Sequence, residues 1–533
     1  MAHEVHELHT RPDDTPARPA GDHISGSILS ERRATSTRRF AAVRAYWRVV
    51  ALLAMTALAL PLYERINHVS GAFLPQPRTL LWPLLGLALI YIGGCFAVTA
   101  GAPRSRRVAL VELGALLLAG VAFRAVVFGT PPLLSHDAYR YAWDPYLLAH
   151  GVSPYVHAPN DPLLAPLRDG SIWPNLNWRD APTIYPPGAQ AFFFVMYLVK
   201  PLSIWAVKWA ITSADAVVAL LLLTLLRRRG MDTRLVLLYW WSPIAVIEFA
   251  GNAHLDVVAV AWALLALLLA DGEWRGARFA AGVALAMATL TKLYPLLFVL
   301  AIARRRDRGL YAGLVGTLIL GYLPVLVSGS HSTGFLATYV GQRFPDEGIV
   351  VVAISKLVGL LGGGDAVIIV AQVVAALVLC GAVVVWRIRR APSPEAAMLA
   401  LTALYFALAP HTFPWYVAIV LPLVALLWKS TPWRRRATPL LARRRDHVRA
   451  FSPVFCVWLF ALWIPFTYVI FAPGGQASLF AWLSLATMLV GAFPWIMDPR
   501  RDASLRPAFR LTPLTAERGP GGEVRSKRRR RAG

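Results

Sequence analysis

Acidic residues are scarce in this chain: 29 Asp and Glu stand against 54 Lys and Arg in 533 residues, and charged side chains of both signs make up only 16% of it. A soluble domain normally carries about a quarter charged residues to cover its surface, so with 57% hydrophobic residues and a mean hydropathy of +0.53 the chain reads as an integral membrane protein. Cysteine is nearly absent too. Cys95, Cys380 and Cys456 each lie inside an apolar run, which excludes a disulfide framework and a cysteine metal knuckle. No glycine-rich phosphate loop precedes a helix, which argues against a nucleotide-driven pump and a soluble nucleotide-sugar domain. No internal repeat of fixed period is visible. The first apolar run starts near Tyr46, too late for a cleavable signal peptide.

What the chain does have is a series of apolar runs near the length a bilayer demands, about 20 residues for roughly 30 Å of hydrocarbon. They fall at 47–62, 80–99, 108–128, 203–226, 235–249, 255–269, 310–327, 366–386, 396–409, 416–428, 451–471 and 479–496. Between them the basic residues cluster at 104–107, 227–229, 304–308, 387–390 and 434–449, the pattern of the positive-inside rule. That places the clusters and both termini in the cytoplasm and makes nucleic acid a poor partner for the net charge of +25. Two pieces complicate the count: 188–200 is only about 20 Å long as a helix, and 279–303 is basic at both ends and interrupted by Thr291-Lys292-Leu293-Tyr294-Pro295. The second suggests a kinked or re-entrant helix. The expectation is an all-α polytopic fold of about 12 to 14 spans. It comprises a cytoplasmic arm at 1–45, a membrane body at 46–498, and a basic tail at 499–533 held near anionic lipid. His3, His6 and His9 in the arm read as a solvated tail.

The longest polar interruption, 131–190, is placed outside by this topology, together with 252–254, 328–350 and His411. It holds Ser135-His136-Asp137-Ala138-Tyr139-Arg140-Tyr141-Ala142-Trp143-Asp144, in which Asp137, Tyr141 and Asp144 have helical spacing. A carboxylate and a guanidinium beside aromatic rings suit a sugar. The rings stack on its apolar face, the carboxylate takes a hydroxyl proton, and the cation meets a phosphate. Asp137 is the candidate base, with His136, Tyr139, Arg140, Tyr141, Asp144 and Tyr185 as contacts. Arg140, Arg168, Arg179 and Arg343 are external and therefore phosphate candidates. Glu248, Asn252, His254 and Asp256 gather where two apolar runs meet; His254 and Asp256 either hold substrate or are merely solvated, and Asn252 either belongs with them or caps a helix. Lys292, inside an apolar run, reads as half of an ion pair or as a snorkelling side chain, with donor-phosphate binding as the functional alternative. His411 with Trp415 and Tyr416 is a sugar or lipid-head contact or part of an aromatic belt.

Taken in order, Asp137-x-Tyr139-x-Tyr141, Gly151-x-x-Pro154-Tyr155, Thr183-Ile184-Tyr185-Pro186-Pro187-Gly188, Thr291-Lys292-x-Tyr294-Pro295 and Pro414-Trp415-Tyr416 resemble the GT-C glycosyltransferases. The likeness is to glycosyltransferase family 87 and related bacterial mannosyl- and arabinosyltransferases, over about 108–427. The resemblance implies a GT-C-like membrane body and a polyprenyl-phosphate sugar donor, with mannose as first choice. It further implies a cell-envelope glycan or glycolipid acceptor, inverting transfer outside the membrane, and a loop carboxylate as general base, here Asp137. The chain has His136-Asp137 where two acids would flank one residue, so no metal ligand is assigned and a divalent cation stays an open alternative. The rival readings are a transporter or flippase of a lipid-linked sugar, and a subunit that binds one without turnover.

Overall fold

The computed structural model describes residues 46–69, 78–99, 105–327, 347–409, 411–428 and 453–470, with short pieces between 479 and 487. The arm at 1–45, the tail at 499–533, Arg343 and most of the run at 479–496 lie outside the described residues.

The chain is all-helical among these residues, and it is polytopic. Five helices at the start and middle are long and apolar enough to cross a membrane: α1 (Tyr46–Asn67), α2 (Arg78–Thr99), α3 (Arg106–Phe128), then, after α4 (Asp137–Ala149) and α5 (Pro187–Val199), α6 (Ile204–Arg228), and further on Arg308–Val327. A sixth is Asp365–Arg390. Sequence signals explain the ends of several. Ser105 and Ser203 accept from the amides of Val108 and Ala206 at the starts of α3 and α6, and Arg227 and Arg228 face the negative end of the α6 dipole. Arg124 of α3 meets Asp215 of α6 at 2.5 Å and donates to the carbonyls of Gly120 and Trp240, so this buried charge is paired.

The apolar run at 235–249 is not one helix. Pro243 interrupts it, and only α7 (Pro243–Gly251), ending in a π-turn from Val246, continues toward the polar end. The chain then reverses by 118° into α8 (Asp256–Ala270). Ala253 takes the left-handed φ of 58° at this reversal, a conformation that costs an alanine roughly 1 to 2 kcal/mol.

The run at 279–303 is a return hairpin. The helix α9 (Ala277–Thr291) ends where Lys292 is extended, and the turns Tyr294–Phe298 and Val299–Ile302 bring the chain back. Arg278 at the start of α9 donates to the carbonyls of Ile302 and Ala270 and pairs with Asp307, so both ends of the hairpin and the end of α8 share one level. Both α8 and α9 have 15 residues, about 22 Å each. Their far ends, Asp256 and Lys292, therefore arrive at the same height. This is why Lys292 does not snorkel to the basic end, one of the two structural readings its sequence context allowed.

The helix α10 (Arg308–Val327) lies against α9 backbone to backbone: a Cβ on Gly313 would sit 2.2 Å from the Phe279 carbonyl oxygen and one on Gly282 2.1 Å from that of Leu310. The remaining helices are α11 (Ile349–Leu360), α12 (Asp365–Arg390), α13 (Pro394–Leu408), α14 (Pro414–Leu427) and α15 (Val454–Ile470). Of these, α12 is nearly bare of protein contacts along its apolar length, as a lipid-facing helix is. At one end of the bundle Arg229 pairs with Asp271 and Glu395, Arg234 with Glu112 and Asp232, and Arg387 donates to the Leu300 and Ala303 carbonyls. The 131–190 segment and the tips at 252–256 and 292 occupy the other.

Two measurements follow from this arrangement. Gly313→Ala forces α9 and α10 apart and lowers thermal stability by at least about 2 kcal/mol, whereas Gly316→Ala, whose Cβ meets nothing within 4 Å, is neutral or gains up to about 1 kcal/mol of helix propensity. Equal melting temperatures for the two would refute the close crossing. Single cysteines at Ser171 and Thr233 test orientation: an impermeant thiol reagent on intact cells labels Ser171 and spares Thr233, and labelling at Thr233 alone reverses the topology.

Candidate functional site

The polar end is built on α4, the helix expected from the spacing at 137–144. Tyr141 stacks on Phe193 of α5 (4.6 Å, 13°), Tyr185 meets both rings edge-on, and Trp143 is fully buried. Gly188, from the Tyr-Pro-Pro-Gly run, lies so close to Leu290 that a Cβ would stand 2.6 Å from its Cβ and 2.9 Å from its carbonyl oxygen. The glycine thus lets α5 touch the end of α9 two residues before Lys292.

Five ionisable side chains converge there from four segments. Asp137 Oδ1 accepts from Asn177 Nδ2 at 2.6 Å, and its Oδ2 lies 3.7 Å from His254 Nδ1. On the other side of the imidazole, Nε2 lies 3.5 Å from Glu248 Oε2. Glu248 also accepts from Asn252 Nδ2 at 3.2 Å and from the Tyr468 hydroxyl at 3.0 Å. Asp256 meets Lys292 Nζ at 3.3 Å, and the ammonium lies over the rings of Tyr416 (5.1 Å) and Tyr185 (5.5 Å). Glu248, His254 and Asp256 are buried, while Asp137 and Lys292 keep 22% and 17% of their side chains open. Burial raises the Asp137 carboxyl above its ordinary range, and Asn177, Lys292, His136 and Arg140 pull it partly back. The outcome is a carboxylate that can hold a proton, beside a cation that is fixed by an acid and two aromatic faces.

A ladder of rings closes one side. His411, itself buried, is parallel to Phe413 (5.5 Å, 5°), Phe413 to Trp415 (4.6 Å, 13°), and Trp415 to His254 (3.7 Å, 11°). His411 therefore reaches the site through stacking.

Other expected site residues are held elsewhere. Arg140 donates to Asp144 Oδ1 at 2.9 Å and to the carbonyls of Trp178 and Ala181, and Asp144 Oδ2 accepts from Gln190, so this buried pair clamps the loop to α5. Arg179 donates to the Leu176 and Pro174 carbonyls, and it and Arg168 flank the ring of Trp173. His136 bonds the Asn175 carbonyl and tilts against Tyr139, supporting the loop beneath Asp137. Asn252 does not cap α8; its Oδ1 accepts from the Leu134 amide. Sequence reasoning missed Asn177 and Tyr468: neither has a motif around it, and both reach the site across 40 and 220 residues of chain separation. Among the described residues no group of three or more His, Cys, Asp or Glu is arranged as a metal site. The acids here face an imidazole and an ammonium.

Residues 183–410 match the model of glycosyltransferase family 87, so the chain is family 87-like over that segment, as its motifs suggested. Among solved structures, ArnT from Cupriavidus metallidurans bound to undecaprenyl phosphate aligns at 14% identity over 72% of this chain and 77% of that one, with a TM-score of 0.40. A search of the curated proteins gives no match.

If Arg140 and Asp144 form a clamp, Asp144→Ala leaves a buried guanidinium without its counter-ion. It should cost about 3 to 5 kcal/mol of stability, read as a drop in melting temperature. A variant that melts as the parent does but fails to bind a polyprenyl-phosphate sugar would instead move Asp144 into the substrate site.

Proposed function

We propose, from the family 87 segment at residues 183–410, that the protein is a membrane glycosyltransferase. It moves a sugar, mannose by preference, from a polyprenyl-phosphate donor to a hydroxyl of a cell-envelope glycan or glycolipid on the outer face of the membrane. The observation that carries this reading is the partly open Asp137 carboxylate beside Lys292, which is held between Asp256 and the faces of Tyr185 and Tyr416.

Asp137 takes the acceptor's hydroxyl proton as the acceptor oxygen bonds to the anomeric carbon. The bond from that carbon to the phosphate oxygen breaks with its electron pair, and the configuration inverts. Negative charge grows on the leaving phosphate, and Lys292 is the cation placed to meet it. The ammonium is preorganised by Asp256, so little reorganisation is needed when charge appears. Of the external arginines that share this candidacy on sequence grounds, Arg140 and Arg179 donate to loop carbonyls instead, Arg168 lies against Trp173, and Arg343 is outside the described residues. Tyr185 and Tyr416, beside the ammonium, are the rings nearest to where a sugar would sit.

Purified protein given synthetic polyprenyl-phosphate mannose and a glycolipid extract should release polyprenyl phosphate. A positioned base contributes about 10² to 10⁴-fold, so Asp137→Asn should lower turnover by at least about two orders of magnitude while donor binding survives. The acid limb of kcat/KM should lie above the ordinary carboxylate value of 3.8, since the base must be ionised and burial raises its pKa. Normal turnover by Asp137→Asn would remove the mechanism. Transfer from polyprenyl-phosphate arabinose alone would change the sugar.

A further inference from the structure

The mechanism above places the acceptor's hydroxyl at Asp137 and leaves the rest of the acceptor without a contact. A glycan or glycolipid has to extend from that carboxylate across the external segment. Among the Tyr and Trp side chains of 131–190, Trp178 alone is exposed, with 49% of its surface open; Trp173, by contrast, is half-buried and flanked by Arg168 and Arg179. Trp178 also takes a left-handed φ of 50°. Glycine and asparagine enter that region readily and a bulky ring rarely does, so the surrounding structure has to impose it. Hydrogen bonds on both sides do so. The Trp178 carbonyl accepts from Arg140 Nη1 at 3.2 Å and from the Ala181 amide at 3.0 Å, and the Arg179 carbonyl accepts from the Asn160 amide at 2.8 Å. On the other side Asn177 is tied by its side chain to Asp137 at 2.6 Å. One peptide unit separates Asn177 from Trp178, which puts the Trp178 Cα within about 10 Å of the Asp137 carboxylate.

We propose that Trp178 is the platform on which a sugar ring of the acceptor stacks, outward of the hydroxyl that meets Asp137; this rests on the glycosyltransferase reading. The apolar face of a pyranose lies on the indole, which offers it a large, flat and polarisable surface. Hydroxyls at the ring edge meet Asp180 and Asn160, both exposed and joined by a bond of 2.7 Å from Asn160 Nδ2 to Asp180 Oδ1. A lipid anchor needs the opposite surroundings, because a carboxylate and an amide beside the ring are costly to carry into hydrocarbon. The fixed backbone serves binding as well: a platform already held in place loses little freedom when the sugar arrives. Asn177 and Trp178 then divide one task between neighbours. The first orients the base, and the second seats the acceptor at a distance from that base set by a single peptide unit.

Three substitutions separate the ring from apolar bulk and from backbone strain. Trp178→Phe keeps an aromatic face, Trp178→Leu keeps apolar bulk at the same strained φ, and Trp178→Asn suits the left-handed φ with no ring at all. Release of polyprenyl phosphate from synthetic polyprenyl-phosphate mannose is followed against the concentration of a glycolipid extract. Trp178→Leu and Trp178→Asn should each raise the half-saturating extract concentration at least about tenfold, while maximal rate and half-saturating donor concentration stay within about threefold of the parent. Trp178→Phe should saturate close to the parent. A Trp178→Leu protein that saturates as the parent does marks an apolar anchor, and acceptor affinity that falls only in step with melting temperature across the three marks a packing residue. Either result overturns the platform. Asp137→Asn, run in parallel, tests the base separately, since it should lose rate and keep the parent's half-saturating extract concentration. No release of polyprenyl phosphate by the parent itself removes the enzyme reading and the platform with it, whereas an active parent with an unaffected Trp178→Leu removes the platform alone.

Discussion

The site depends on one buried ion pair, Asp256 with Lys292, and on the reason the two can meet. Each terminates a helix of 15 residues, and Arg278 ties the opposite ends of those helices together at the basic face. A lone lysine at this depth would be expensive, and a lone buried carboxylate equally so; together they are tolerated only while both helix ends stay level. The glycine contacts between α9 and α10, and that of Gly188 with Leu290, keep α9 in place laterally. The ammonium is then held where two aromatic faces and a neighbouring carboxylate surround it.

The external segment is organised by a second charged pair with a different task. Arg140 and Asp144 sit one helical turn apart on α4, and their remaining hydrogen-bonding capacity goes to Trp178, Ala181 and Gln190. That commitment turns a conspicuous arginine into a loop clamp. It also brings Asn177 to Asp137, which orients one carboxylate oxygen and leaves the other toward His254. The two acids of one helix are therefore held differently: Asp144 is enclosed in the clamp, and Asp137, seven residues earlier at the helix start, stays partly open.

Much of this was legible in the sequence. Most apolar runs are helices, though the one at 235–249 breaks at Pro243; basic clusters set one end of the bundle, and the 3.6-residue spacing at 137–144 set α4. The interruption at Lys292 and Pro295 marked a broken span, and Asp137, Tyr185, His254, Asp256, Lys292 and His411 do gather at one end. These are properties of local spacing and of the bilayer as solvent, which act on every segment independently of its partners.

Partnership was decided by the tertiary structure. The sequence contains Arg140 four residues before Asp144, yet spacing cannot tell a pair that clamps a loop from a pair that greets a phosphate; the carbonyls of Trp178 and Ala181 decide it. Whether Lys292 snorkels or turns toward the site depends on the direction of a hairpin, and that follows from Arg278 bonding Ile302. Asn177, Tyr468 and the His254–Trp415 stack come from segments far apart in the chain. Hydrogen bonds and ring contacts act over a few ångströms, so only the packed arrangement of helices determines which distant side chains come within their reach.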